Sequence, residues 1–167
     1  MSDLPPRLDS LHVRVLRISR FNGMSVLVIA GLGVVFSLLG VDRFGTGCGM
    51  LAVAAGMMEL HGRSLVLEED HRGFAWLTGS QLWLIAVITV YAIGRIQNFD
   101  LKTTLQLMPK DSLDNLTQAG IDPHDFLLLT NKIGCIILIV VTFVYQGLMW
   151  RFYRRAAAAL GPEDGAA

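Results

Sequence analysis

"GMMELHGRSLVLEEDHRG", residues 56–73, follows an apolar run rich in small residues. Either that run stops before Glu59 and the charges lie in water, or a helix carries Glu59, His61 and Arg63 into a bilayer. Gly45, Gly49, Ala52 and Gly56 recur at alternating spacings of four and three, which draws one smooth stripe along a helix. The next steps of the same stripe are Glu59 and Arg63, four residues apart and so able to pair along the helix. Beyond them Leu65, Val66 and Leu67 call for burial and leave "EEDHRG" as a short loop, the commoner kind of connection. A helix from Gly45 to Leu67 is about 34 Å long at 1.5 Å per residue, slightly more than the hydrocarbon thickness. The stretch therefore reads as the end of a membrane helix, with Glu59 in its cytoplasmic half. His61 points away from Glu59, toward the side of Met57 and Met50.

The remainder of the chain agrees with a membrane setting. Of 167 residues 53% are hydrophobic and 17% charged, against about 25% charged in an average soluble domain. Runs of the length needed to span, about 17–25 residues, occur at 24–40, 74–94 and 133–150, beside the run that enters the opening stretch. The expected fold is an all-α integral membrane protein, one four-helix transmembrane domain over 1–167. Its spans fall at about 22–40, 46–67, 74–95 and 126–151. Some twenty residues precede the first run and "LLGVDRF" follows it, which reads as an uncleaved span rather than a signal peptide.

Residues 8–20, "LDSLHVRVLRISR", place Leu8, Leu11, Val15 and Ile18 on one stripe, with Arg14 and Arg17 near the other face and Asp9 or Ser10 as a cap. This predicts an N-terminal amphipathic interfacial helix, the basic anchor of the first span. Four spans put both termini on one side. That side receives nine of the fourteen Lys and Arg, leaving Arg43, Arg95, Lys102, Lys110 and Lys132 to the other. The positive-inside bias predicts a multi-pass inner-membrane protein with both termini cytoplasmic. The 96–125 loop is too long to be idle and predicts a small helical extracytoplasmic cap. In it "SLDNLTQAG" reads as a short helix stopped by Gly120, and "DPHDFLLL" as the start of the last helix. The "RRAAAALGPEDGAA" tail reads as a frayed terminus.

Small residues join membrane helices, so Gly45, Gly49 and Gly56 are expected to pack against Gly33 and Ser37 of the first span, in the same molecule or across an oligomer interface. The polar candidates for a pathway or buried site are Glu59, Arg63, His61, Gln81 and Arg95. Methionine beside His61 is expected to be packing and not a metal site, and no two histidines fall at facing depths for haem. No metal and no cofactor is therefore expected. Cys48 and Cys135 read as two buried thiols. Balanced charge gives no nucleic-acid partner, and no nucleophile–base arrangement marks an enzyme. One four-helix bundle has little room for an internal path, so the expected function is a homo-oligomer that conducts an ion or small solute between subunits. The alternative is a non-conducting accessory subunit of a larger complex, bound to an unidentified membrane-protein partner. In either case the protein contacts membrane lipids and is expected to self-associate.

Overall fold

The computed structural model describes residues 6–160, with side chains from residue 10 onward. It is all-helical: α1 Pro6–Leu39, α2 Arg43–Leu67, α3 Arg72–Gln97, α4 Leu101–Leu107, α5 Lys110–Gln118 and α6 Pro123–Leu160. Helices α1, α2, α3 and α6 are long and apolar enough to cross a membrane. They form a ring in which α1 packs along α2, α2 along α3 and α3 along α6, while α6 and α1 meet over only a short stretch. The ring is thus closed at one end and parted at the other.

Helix α1 differs from the expected pair of segments. It runs unbroken from Pro6 to Leu39, through both proposed caps Asp9 and Ser10. No proline interrupts it, and a glycine such as Gly23 does not end a helix that is packed on its neighbour. Val15 and Ser19 are fully buried, so residues 10–20 belong to the bundle, with Arg14, Arg17 and Arg20 on the exposed side. The tail differs too: Arg154–Leu160 is helix, and residues 161–167 lie outside those described.

Two tight turns hold the first three helices. Asp42 caps α2 by accepting from Gly45 N–H (2.9 Å) and pairs with Arg95 of α3 at 3.3 Å. Val41 in the first turn and Glu69 in the second sit at φ +56° and +61°, a region that a β-branched residue such as valine enters only at a cost of about 1–2 kcal/mol. Farther on, Asp100 caps α4 through Thr103 N–H and its hydroxyl, which hold its carboxyl below the usual range. Helix α4 has no counterpart in the sequence reading. Helix α5 ends where expected, with Gly120 at φ +74° and Ile121 N–H returning to the Leu116 carbonyl.

Glycine sets the helix spacing. A Cβ at Gly56 would lie 3.1 Å from the Gly23 carbonyl, and one at Gly73 would lie 2.6 Å from the Gly62 carbonyl. At Gly49 it would meet Val34 at 2.7 Å, and at Gly45 the Ser37 hydroxyl at 2.7 Å. Gly33 differs from the expected stripe: a Cβ there meets open space, because α6 does not close against α1 at that level.

Two apolar cores result. Val15, Val66, Phe74, Leu77, Tyr153 and Ala156 draw on all four long helices at the end bearing the chain termini. Cys48, Ala52, Ala55, Leu84 and Val87 form the other from α2 and α3, flanked by Val26 and Ala30 of α1. Replacing Gly73 with Ala is expected to cost about 1–3 kcal/mol through overpacking against α2, whereas Gly134→Ala, where the added methyl meets nothing within 4 Å, is neutral. Thermal unfolding of the two purified variants in detergent checks this; equal stability would refute the close α2–α3 contact.

Candidate functional site

Between the two cores lies a polar layer. Asn22 on α1, Glu59 on α2, Ser80 and Gln81 on α3 and Gln146 on α6 are all buried, each at most 6% exposed. One carboxyl organises it. Glu59 Oε1 accepts from the Tyr153 hydroxyl at 2.6 Å, and Oε2 accepts from Asn22 Nδ2 at 2.7 Å. Tyr145 donates to Asn22 Oδ1 at 3.0 Å, which fixes the direction of that amide. Gln81 Nε2 donates to Ser80 Oγ at 3.0 Å in the same layer. Helices α1, α2 and α6 thus meet at a single acidic group, and α3 adds Ser80 and Gln81 beside it. Its immediate hydrogen-bond donors are all neutral.

The helices deliver these groups by simple periodicity. Glu59 continues the glycine stripe of α2, the face that α1 approaches most closely at Gly56. Asn22 adjoins Gly23, so the same glycine contact that brings the backbones together brings the amide to the carboxyl. Tyr145 and Tyr153 are eight residues apart on α6, slightly more than two turns, and so straddle the site from one helix.

The pairing anticipated along α2 is absent. No ion pair joins Glu59 and Arg63 among the described residues. Half-buried Arg63 instead turns to α1 and donates Nε to the Leu16 carbonyl at 3.1 Å. The physical reason is desolvation: a guanidinium drawn to Glu59 would bring several more donors into the core with nothing to receive them. The other candidates divide. Gln81 belongs to the site. His61 is exposed and meets Trp76 edge-on at 5.1 Å. Arg95 lies at the distant end with Asp42. Glu59 and Gln81 face the interior of the bundle, each at most 2% exposed. Cys48 and Cys135 are free thiols, and no group of three or more metal-ligating side chains occurs among the described residues.

Sequence reasoning does not find Asn22 and Tyr153 as the partners of Glu59, nor Tyr145 as the donor to Asn22. Asn22 had a signal in "RFNGMSV", a lone amide at the start of an apolar run. Tyr153 reads as an interfacial aromatic because it sits among arginines.

Above the polar layer, in the parted half of the ring, lies a cleft of about 380 Å3. Val26, Gly33, Ala52, Leu84 and Thr142 line it, with Gln146 at the end nearest Glu59 and Ser37 and Tyr91 toward the other. Below the layer Ser19 and the Arg63–Leu16 contact continue the polar thread toward the chain termini. Two acceptors in this region, Gln81 Oε1 and Gln146 Oε1, are buried with no donor.

No protein-family model, curated protein or solved structure matches the chain.

Replacing Tyr153 with Phe removes one donor and should cost about 1–3 kcal/mol, the penalty of an unmatched buried acceptor. A double-mutant cycle with Asn22→Leu should be non-additive, since both act on one carboxyl. Additive losses in detergent unfolding would show that the two bonds do not share a site.

Proposed function

We propose that this is a small multi-pass membrane protein that moves a proton, alone or with a small ion or solute, through its own bundle, with Glu59 as the group that takes up and releases it. The observation that carries this reading is a lone carboxyl at the meeting point of four helices with only neutral donors. A charged side chain at mid-bilayer costs about 2.5–3.5 kcal/mol on insertion scales, and such groups mark ion and proton pathways. The surroundings fit both protonation states without rearrangement. As a carboxylate, Glu59 accepts from Tyr153 and Asn22; as an acid, it donates to the tyrosine oxygen, which is donor and acceptor alike. The cleft above and the polar thread below supply approaches from the two ends. Self-association, expected from the sequence, is an accompanying proposal to be read from the stoichiometry of the purified protein.

A second reading has its own support. Glu59 is only 2% exposed and both its oxygens are bonded, which suits a keystone in a non-conducting accessory subunit. The substitution Glu59→Gln separates the two. An amide fits the same pair of partners, donating to Tyr153 and accepting from Asn22, so the fold should survive. In liposomes carrying a pH gradient, the wild-type protein should dissipate it and the variant should lose at least about tenfold in rate, as removal of an essential acid–base group does. Equal flux from both, or none from the wild type, refutes the transport reading.

The orientation proposed is the one the arginines favour, with the exposed Arg14, Arg17 and Arg20 and the C-terminal basic turn at the cytoplasmic headgroups of the cell membrane, and α4 and α5 as the extracytoplasmic cap. A C-terminal reporter should be accessible only from the cytoplasm; periplasmic accessibility would reverse the threading.

A further inference from the structure

The inner end of α6 carries positive charge that no carboxylate among the described residues answers. The apolar run of that helix ends at Trp150, and Arg151, Arg154 and Arg155 follow at once. Spacings of three and four set these side chains beside one another on the helix surface, and all three are exposed. Like charges so placed repel, yet no ion pair reaches any of them among the described residues. The cluster is nonetheless shaped. Arg154 lies over the Trp150 ring, 4.9 Å from its centroid, a contact that steadies a guanidinium. With the small Ala158, these four side chains line a hollow of about 290 Å3.

The kind of cation is informative too. All nine basic residues at the end bearing the chain termini are arginine, and the three lysines lie at the opposite end. Either type would serve as positive charge facing the cytoplasm. Only the planar guanidinium grips a phosphate through two parallel N–H bonds. Depth points to the source of that phosphate. Half-buried Trp150 sits where interfacial aromatics do, so the next turn stands level with lipid headgroups. Above it the exposed Val144 and Leu148 continue the line of Arg151 and Arg155 at spacings of four and three, an apolar track on the same face.

We propose that Arg151, Arg154 and Arg155 hold the phosphate of one anionic phospholipid, its acyl chains lying along Val144 and Leu148. Tyr153, in the same turn, faces the other way and donates to Glu59, so the bound lipid also steadies the turn that completes the polar layer. The choice of the cytoplasmic leaflet rests on the orientation proposed above; binding itself does not depend on whether Glu59 conducts.

The test uses the full chain in phosphatidylcholine vesicles, with spin-labelled phosphatidylglycerol as the probe and spin-labelled phosphatidylcholine as the control lipid. The wild-type protein should immobilise phosphatidylglycerol at least about tenfold more strongly than phosphatidylcholine. The triple variant Arg151→Gln, Arg154→Gln, Arg155→Gln should lose that preference while keeping its thermal stability. Arg14→Gln, Arg17→Gln, Arg20→Gln removes the same charge from α1 and should lower the preference less than about twofold, since separated exposed charges are screened. Lysine at all three α6 positions should lower it about fivefold through loss of the bidentate grip. Glu59→Gln should leave it unchanged even where flux is lost. Equal losses in the α1 and α6 triple variants, or full retention by the lysine variant, would show a diffuse basic collar and overturn the site. Displacement of the probe by millimolar glycerol 3-phosphate would assign the site to a soluble phosphoester and overturn the lipid. A severalfold gain in binding from Glu163→Gln with Asp164→Asn would make the chain's own acidic tail the occupant, and the proposal would fail.

Discussion

A carboxyl enclosed by hydrocarbon must find all its hydrogen-bond partners within the protein, and this requirement at Glu59 organises the bundle. Water is absent from the bilayer core, so each unmet polar group there costs several kcal/mol. Glu59 sits on α2, yet its donors come from α1 and α6. Meeting them fixes the register of both helices against α2 and the depth at which they cross. A slide of α1 by one turn would take Asn22 about 5.4 Å from the carboxyl, and the apolar surfaces on either side would hardly notice. Hydrocarbon contacts are nearly interchangeable in lipid. The polar layer is what makes one alignment better than the next.

Glycine makes that alignment reachable. Contacts between Gly23 and Gly56, and between Gly62 and Gly73, let backbones approach closely enough for short side chains such as asparagine to span the gap. The two cores then differ because only one of them has all four long helices to draw on. Near the chain termini large side chains, Tyr153 and Phe74 among them, fill the centre. Beyond the polar layer the core is built from Ala and Cys together with Leu84 and Val87, and α6 stands off from α1. Tightness at one end and a cleft at the other therefore follow from the distribution of residue sizes along the same four helices.

Much of this was readable from residue order alone, and the parts that were not share a cause. Four apolar helices, the continuation of α2 through Glu59 and the close approach at Gly49 and Gly56 all follow from spacing within one helix. Errors arose where an outcome depended on a second helix. The four-residue spacing of Glu59 and Arg63 permits a pair, but the spacing says nothing of the Leu16 carbonyl that Arg63 reaches instead. Gly33 looks like its neighbours on the stripe, and only the standing-off of α6 leaves it open. The amphipathic pattern of residues 8–20 was read as a membrane-surface face, when the apolar stripe that includes Val15 is buried in the bundle. Lipid and protein interior are alike in polarity, so hydrophobicity cannot distinguish them.

The long connection between α3 and α6 also sets an order of events during synthesis. Helices α1, α2 and α3 are joined by tight turns and emerge one after another, able to pair as soon as they enter the membrane. Tyr153 and Tyr145 follow their partners by 94 and 123 residues. Until the last helix arrives, the Glu59 carboxyl has Asn22 as its donor and one oxygen unmatched. The arrival of α6, carrying Tyr153, is the step that completes the site.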